Sequence, residues 1–202
     1  ILVHYVLSQT ELNGNEFIAK TVVTSDLLDT IAKTHNVDVV NTLTGFKYIG
    51  AAIRELEGKK TYLVGGEESY GYLIGDLVRD KDAISSCCMI AEVCAWAKQQ
   101  DKTLLDILKE IHITYGMYQE SLNSLTKKGI DGAEEIRKMV ETFRSSPMSE
   151  IAGEKVTHVL DYGNSTNRNM ATGEISNLEF DSSNFIQFLT ESGTKVTVRP
   201  SG

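Results

Sequence analysis

The residues best suited to chemistry lie in Gly65-Gly66-Glu67-Glu68-Ser69-Tyr70-Gly71. Glu67, Glu68 and Ser69 are mainly hydrogen-bond acceptors, suited to a ligand rich in hydroxyl groups such as a sugar. The glycines around them predict a sharp turn that brings backbone close to a ligand, because glycine tolerates positive φ. A second candidate is Arg199-Pro200-Ser201-Gly202. A guanidinium grips two phosphate oxygens while a hydroxyl and backbone N–H groups take others, so this stretch reads as a phosphate cradle. Two more polar segments are Thr44-Gly45-Phe46-Lys47 and Arg79-Asp80-Lys81-Asp82. The latter is either a ligand-facing cation or a solvated helix start. Neither G-x-G-x-x-G nor G-x-x-x-x-G-K-[ST] occurs, so nucleotide binding has no support.

The elements that must position these residues follow from periodicity. Residues 1 to about 12 read as a helix ended by Asn13-Gly14. Phe17 to Val23 reads as a buried strand, and Ser25 as the cap of a helix carrying Leu27, Leu28, Ile31 and Ala32. Val37 to Val40 is a second strand. Phe46, Ile49, Ile53 and Leu56 mark another helix, closed by Gly58, and Thr61 to Val64 is a third strand. Strand and helix alternating in this way predict an α/β domain with a parallel sheet. Such sheets bind ligands beyond the carboxyl ends of their strands. Three polar loops lie there: Thr24-Ser25 with Lys20 just before it, Thr44 to Lys47, and Glu67 to Ser69. A helix follows from about Asp80 to Gln100, with Ile84, Cys87, Cys88, Ala91 and Ala95 on one stripe, widened by Met89, Ile90, Val93, Trp96 and Ala97 into a helix packed on more than one side. Thr103 and Asp106 form a variant capping box.

From Met117 the pattern changes. Tyr118 to Thr126 reads as a strand, and Asp131 with Glu134 has capping-box spacing ahead of a stripe of Ile136, Met139, Val140 and Phe143. Short strands then follow at 156–162, 175–180, 185–189 and 196–198, the last two joined at Glu191-Ser192-Gly193. The expectation is therefore a parallel-sheet α/β domain over 1–116 and a smaller α+β domain with an antiparallel sheet over 117–202.

Composition is ordinary for a globular chain, with 41% hydrophobic and 24% charged residues among 202. A net charge of −8 argues against nucleic-acid binding and leaves room for a phosphorylated small molecule. No apolar run approaches the roughly 20 residues of a membrane span. The three cysteines, Cys87, Cys88 and Cys94, share one helix, cannot form a disulfide framework, and read as small core residues in a reducing cytoplasm. A start at Ile1 reads as a fragment or a processed product.

Taken together and in order, Thr44-Gly45-Phe46-Lys47, Gly66-Glu67-Glu68-Ser69-Tyr70-Gly71, Arg79-Asp80-Lys81-Asp82 and Arg199-Pro200-Ser201-Gly202 resemble the α-D-phosphohexomutase family. Gly-Glu-Glu-Ser-Tyr-Gly is most similar to its bacterial phosphoglucomutase/phosphomannomutase branch, related to phosphopentomutases. The resemblance implies most of the third domain of a four-domain enzyme up to about residue 116. Beyond that it implies the fourth domain, which is TATA-binding-protein-like. It implies that Glu67 and Ser69 hold sugar hydroxyls beside a specificity loop at Thr44 and Gly45. Arg199, Ser201 and Gly202 would bind the phosphate that is not transferred. Lys20 would stand near the transferring phosphate, and Lys81 matches a lysine of the glucose-phosphate branch. The family's Mg²⁺ and its glucose 1,6-bisphosphate-type intermediate are implied for the whole enzyme. The phosphoserine loop and the Asp-Gly-Asp metal loop are absent from this sequence. The missing N-terminal domains are therefore an expected partner, and the chain is expected to be inactive alone. A phosphopentomutase, a non-catalytic sugar-phosphate binding module and a purely structural pair of domains are the alternatives.

Overall fold

The computed structural model describes residues 1–200. The chain forms two compact units, Ile1–Ser121 and the remainder from Leu122. Among the described residues no helix is long and apolar enough to cross a membrane.

The first unit contains α1 (Leu2–Gln9), β1 (Glu16–Thr21), α2 (Leu27–Thr34), β2 (Asp38–Thr42), α3 (Phe46–Leu56), β3 (Thr61–Glu67), β4 (Gly71–Ile74), α4 (Ala83–Gln99) and α5 (Leu104–Tyr115). Its sheet has the order β2-β1-β3-β4. The first three strands are parallel, as their alternation with helices requires, and β4 is an antiparallel edge. Alternation along β1 sorts the core onto two faces. Ile18 packs with Val64 among residues of α1, α2, α4 and α5, whereas Phe17 and Ala19 pack with Phe46, Ile49 and Ile53 of α3. The result is an α/β/α sandwich.

Several sequence expectations need correction. Gly65 and Gly66 lie inside β3 and do not form the turn; the turn is Glu68–Tyr70. Their lack of a side chain is required by close packing. A Cβ on Gly65 would stand 2.2 Å from the Ala19 carbonyl oxygen, and one on Gly66 would stand 2.6 Å from that of Gly71. Helix α2 is capped at Asp26 without a side-chain capping bond to its own first turn, although the Leu27 N–H donates to Ser25 Oγ at 3.3 Å. On α4 the stripe of Ile84, Cys87, Cys88, Ala91 and Ala95 is exposed, as is Cys94, and burial falls on Ser86 and on the widening residues Val93 and Ala97. Both faces of this helix carry small or apolar residues, so periodicity could not choose between them. The Thr103–Asp106 capping box is present.

Glu16 shows how the start of β1 is held. Its carboxylate accepts the N–H groups of Asn13, Gly14 and Asn15 at 3.0, 3.0 and 3.1 Å. These bonds, with that from Asn13 first, hold its pKa below the usual glutamate value against an opposing desolvation. A depressed carboxyl pKa adds stability above the unfolded value, and this is lost as pH falls through the folded one. Glu16→Gln is therefore expected to lower Tm at neutral pH. The gap from the parent should close on acidification below about pH 4, as followed by thermal melts across pH.

The second unit contains α6 (Gly129–Ser145), β5 (Glu150–Ile151), β6 (Glu154–Asp161), β7 (Thr166–Asn169), β8 (Ile175–Asn177), β9 (Ile186–Thr190) and β10 (Lys195–Val198). Its antiparallel sheet has the order β10-β9-β6-β7-β8, with β5 paired to β6. Val140 of α6 is buried, and the apolar face of the sheet gathers Val156, Val159, Ile186 and Phe188. The strand expected at 118–126 does not form, because no neighbouring strand takes up its backbone groups. The expected Asp131–Glu134 box is also absent: α6 starts after Lys128 without a side-chain cap.

Candidate functional site

In the first unit the parallel pairing brings the loops after β1, β2 and β3 to one edge of the sheet. Two hydrogen-bonded ties join them. The Gly45 N–H donates to Glu67 Oε1 at 2.7 Å, fixing that carboxylate against the entrance of α3. Gly45 caps α3 with φ of 117°, a left-handed backbone that favours glycine. Glu68 Oε2 accepts from Thr24 Oγ1 at 2.9 Å and from Thr21 Oγ1 at 3.3 Å, which ties the acidic turn to the β1–α2 loop. The two threonine hydroxyls are buried and 3.0 Å apart, so either can donate to the other or to Glu68.

A third convergence centres on Gly71. A Cβ there would meet Lys81 Cδ at 3.2 Å, Glu67 Oε2 at 3.5 Å and Phe46 Cδ2 at 3.5 Å. Lys81 thus lies beside the Glu67 carboxylate, with its ammonium 5.7 Å from the Phe46 ring centroid and 3.2 Å from Asp80 Oδ1. A carboxylate, a lysine and an exposed hydroxyl, Ser69, border one patch, with Thr44 half-buried next to Gly45. Acceptors and an exposed cation in this grouping suit a polar, anionic, hydroxyl-bearing ligand.

Lys20 lies elsewhere. Its side chain is 1% exposed, and its ammonium contacts Asp26 Oδ1 at 3.0 Å, Asp29 Oδ2 at 2.9 Å and the Thr24 carbonyl oxygen at 3.2 Å. The Asp29 contact is a charge pairing without hydrogen-bond alignment, since that oxygen has no hydrogen-bond partner. Lys20 is a buried clamp for the β1–α2 loop, a role that became visible only once the two aspartates were placed in space.

Two features escaped sequence reasoning. One is an apolar cavity of about 330 Å³ against β3, lined by Ile1, Leu28, Val64, Ile90, Val93 and Leu104 and reaching Thr24 and Glu67 at its rim. The other, in the second unit, is a polar pocket of about 300 Å³ formed by Glu141, Arg144, Gly163, Asn164, Ser182 and Asn184. The last pair of the β9–β10 ladder is Ile186 with Val198, so Arg199 emerges, exposed, at the end of the sheet where Asn184 lies. Ser201 and Gly202, the rest of the expected phosphate cradle, lie outside the described residues. Among the described residues no group of three or more His, Cys, Asp or Glu side chains can hold a metal ion. Glu67 and Glu68 have no third such ligand gathered with them among the described residues, so this site does not fit the Mg²⁺ that the resemblance implies for the whole enzyme.

In an open α/β sheet of this kind the crevice beyond the carboxyl ends of the strands is where ligands bind, and Glu67, Glu68 and Lys81 stand there. The chain is a member of the phosphoglucomutase/phosphomannomutase family: residues 1–115 match its alpha/beta/alpha domain III. All 202 residues align at 34% identity with the phosphoglucomutases of Staphylococcus aureus strains MRSA252 and USA300, covering 100% of this chain and 36% of each relative. The chain therefore spans about a third of the length of these proteins. The solved open form of the Paramecium phosphoprotein pp63/parafusin, a phosphoglucomutase, covers 100% of this chain and 33% of its own, with 19% identity and a TM-score of 0.59. That likeness is one of fold.

Proposed function

We propose that this chain supplies the sugar-binding and distal-phosphate-binding parts of a phosphohexomutase. The enzyme would interconvert hexose 1-phosphate and 6-phosphate by way of a phosphoserine and a bisphosphate intermediate. Residues 1–116 carry the sugar site and residues 117–202 the phosphate site. The observation that carries the reading is the grouping of Glu67, Gly45 and Lys81 around Gly71, in a chain whose relatives are phosphoglucomutases.

In this role Glu67 is oriented by the Gly45 amide before ligand arrives, so its second oxygen is free for ring hydroxyls. Ser69 adds a donor and acceptor, and Thr44 extends the rim. Lys81 offers a charge to the oxygen at which phosphoryl transfer develops negative charge, the main source of catalysis in such reactions. Lys20 acts through the loop it holds. Arg199, with Ser201 and Gly202, takes the phosphate that stays in place. A bisphosphate must return in the reverse orientation, and separate grips for hydroxyls and for phosphate allow this. Mg²⁺ and the phosphoserine belong to polypeptide outside this sequence, and the setting is cytoplasmic.

The test is a turnover assay on glucose, mannose and pentose phosphates. The protein at its natural full length should convert a hexose phosphate, and the purified 202-residue chain should stay at the blank. Turnover by the short chain, or none by the full-length protein, overturns the proposal.

A further inference from the structure

Tyr70 is the one side chain of the acidic turn that the site described above leaves without a task. It adopts φ of 65°, a left-handed conformation that bulky L-residues rarely hold. Glycines stand at 65, 66 and 71, yet the turn position that favours glycine carries an aromatic. The ring is 86% exposed. Among the described residues none stacks on it or bonds its hydroxyl. Leu77 is more exposed still, at 99%, but it carries no such backbone strain, so exposure alone does not single out Tyr70.

The turn cannot relax to relieve the strain. Glu67 is tied to the Gly45 amide, Glu68 to Thr21 and Thr24, and Glu67 pairs with Gly71 across the hairpin. Strain that persists in a clamped segment beside a binding group points to a purpose outside the fold. We propose that Tyr70 is a specificity-determining residue whose ring packs on the face of a hexopyranose while Glu67 and Ser69 hold its hydroxyl edge. The inference rests on the phosphosugar reading above. An aromatic face carries negative quadrupole potential and attracts the polarised C–H groups of a pyranose face, and the phenol oxygen stays in water or meets a sugar hydroxyl. A puckered furanose offers a smaller apolar face, so the contact favours hexose over pentose phosphates.

The experiment compares Tyr70→Gly, Tyr70→Asn and Tyr70→Phe in the full-length protein, with KM and kcat for hexose and pentose phosphates and Tm for each variant. Asparagine, like glycine, tolerates the left-handed backbone, so neither variant should lose stability. Both should raise KM for the hexose phosphate about three- to tenfold, the range a single aromatic contact supplies. The pentose phosphate should be unaffected and Tyr70→Phe should keep the parental KM. A hexose KM changed less than about twofold by both variants, or an equal loss on hexose and pentose, overturns the inference while the site stands. Absence of turnover by the parent on every hexose phosphate sinks the reading of the site, and the inference with it.

Discussion

Replacing Arg144 with methionine is expected to lower the stability of the second unit by about 3 kcal/mol, at the low end of what breaking a buried ion pair costs. Arg144 and its partner Asp161 are only 16% and 11% exposed, and Nε donates to Asp161 Oδ1 at 2.9 Å. The same guanidinium reaches Asn184 Oδ1 at 3.0 Å and Glu141 Oε2 at 3.2 Å, so it joins α6, β6 and the segment leading into β9. Gly163 makes room for it, since a Cβ there would stand 2.6 Å from Nη2. Methionine keeps the apolar stem and removes only the charge and donors. Asp161 then retains the Gly163 N–H and the Asn164 amide, at 2.9 and 2.6 Å, without a cation. Urea unfolding should show a lower midpoint at unchanged slope. A loss below about 1 kcal/mol would place the pair with exposed ion pairs such as Lys109–Asp106, which contribute little.

The second large effect falls on ligand binding. Arg199→Ala in the full-length protein is expected to raise KM about 30-fold, since losing a charge-assisted phosphate contact costs about 2 kcal/mol or more. Arg199→Lys should recover part of this, because lysine restores the charge without the two-pronged geometry. Glu67→Gln is the companion change. A glutamine oxygen can still accept the Gly45 N–H, so the variant keeps the loop tie and isolates the carboxylate charge. Its KM should rise with little change in Tm. Unchanged KM in both variants would remove Glu67 and Arg199 from the site.

Much of the first unit was legible because its periods are clean. Phe46, Ile49 and Ile53 recur at helical spacing and are buried together on α3, and β1 is buried on both faces as a central parallel strand must be, with Phe17, Ile18 and Ala19 at its middle. The order of strands and helices then placed three polar loops on one edge, and the Glu67–Gly45 and Glu68–Thr24 bonds lie between those loops. The glycines were misleading because the same residue serves turns and close packing. Gly65 and Gly66 continue a strand, and the left-handed turn position falls to Tyr70. Lys20 preceded a polar loop in sequence, but its burial depends on Asp26 and Asp29 folding back over it. Likewise the Arg144 pocket joins residues from α6, the turn after β6 and the approach to β9, a grouping no local pattern encodes.

The most direct measurement is an amide-resolved NMR titration of the protein with glucose 1,6-bisphosphate. The account predicts that Gly45, Glu67 and Ser69 of the first unit shift along one saturation curve, and that Arg199 of the second unit also responds to the ligand. Shifts confined to other residues, or none at these four when the ligand saturates, would contradict it.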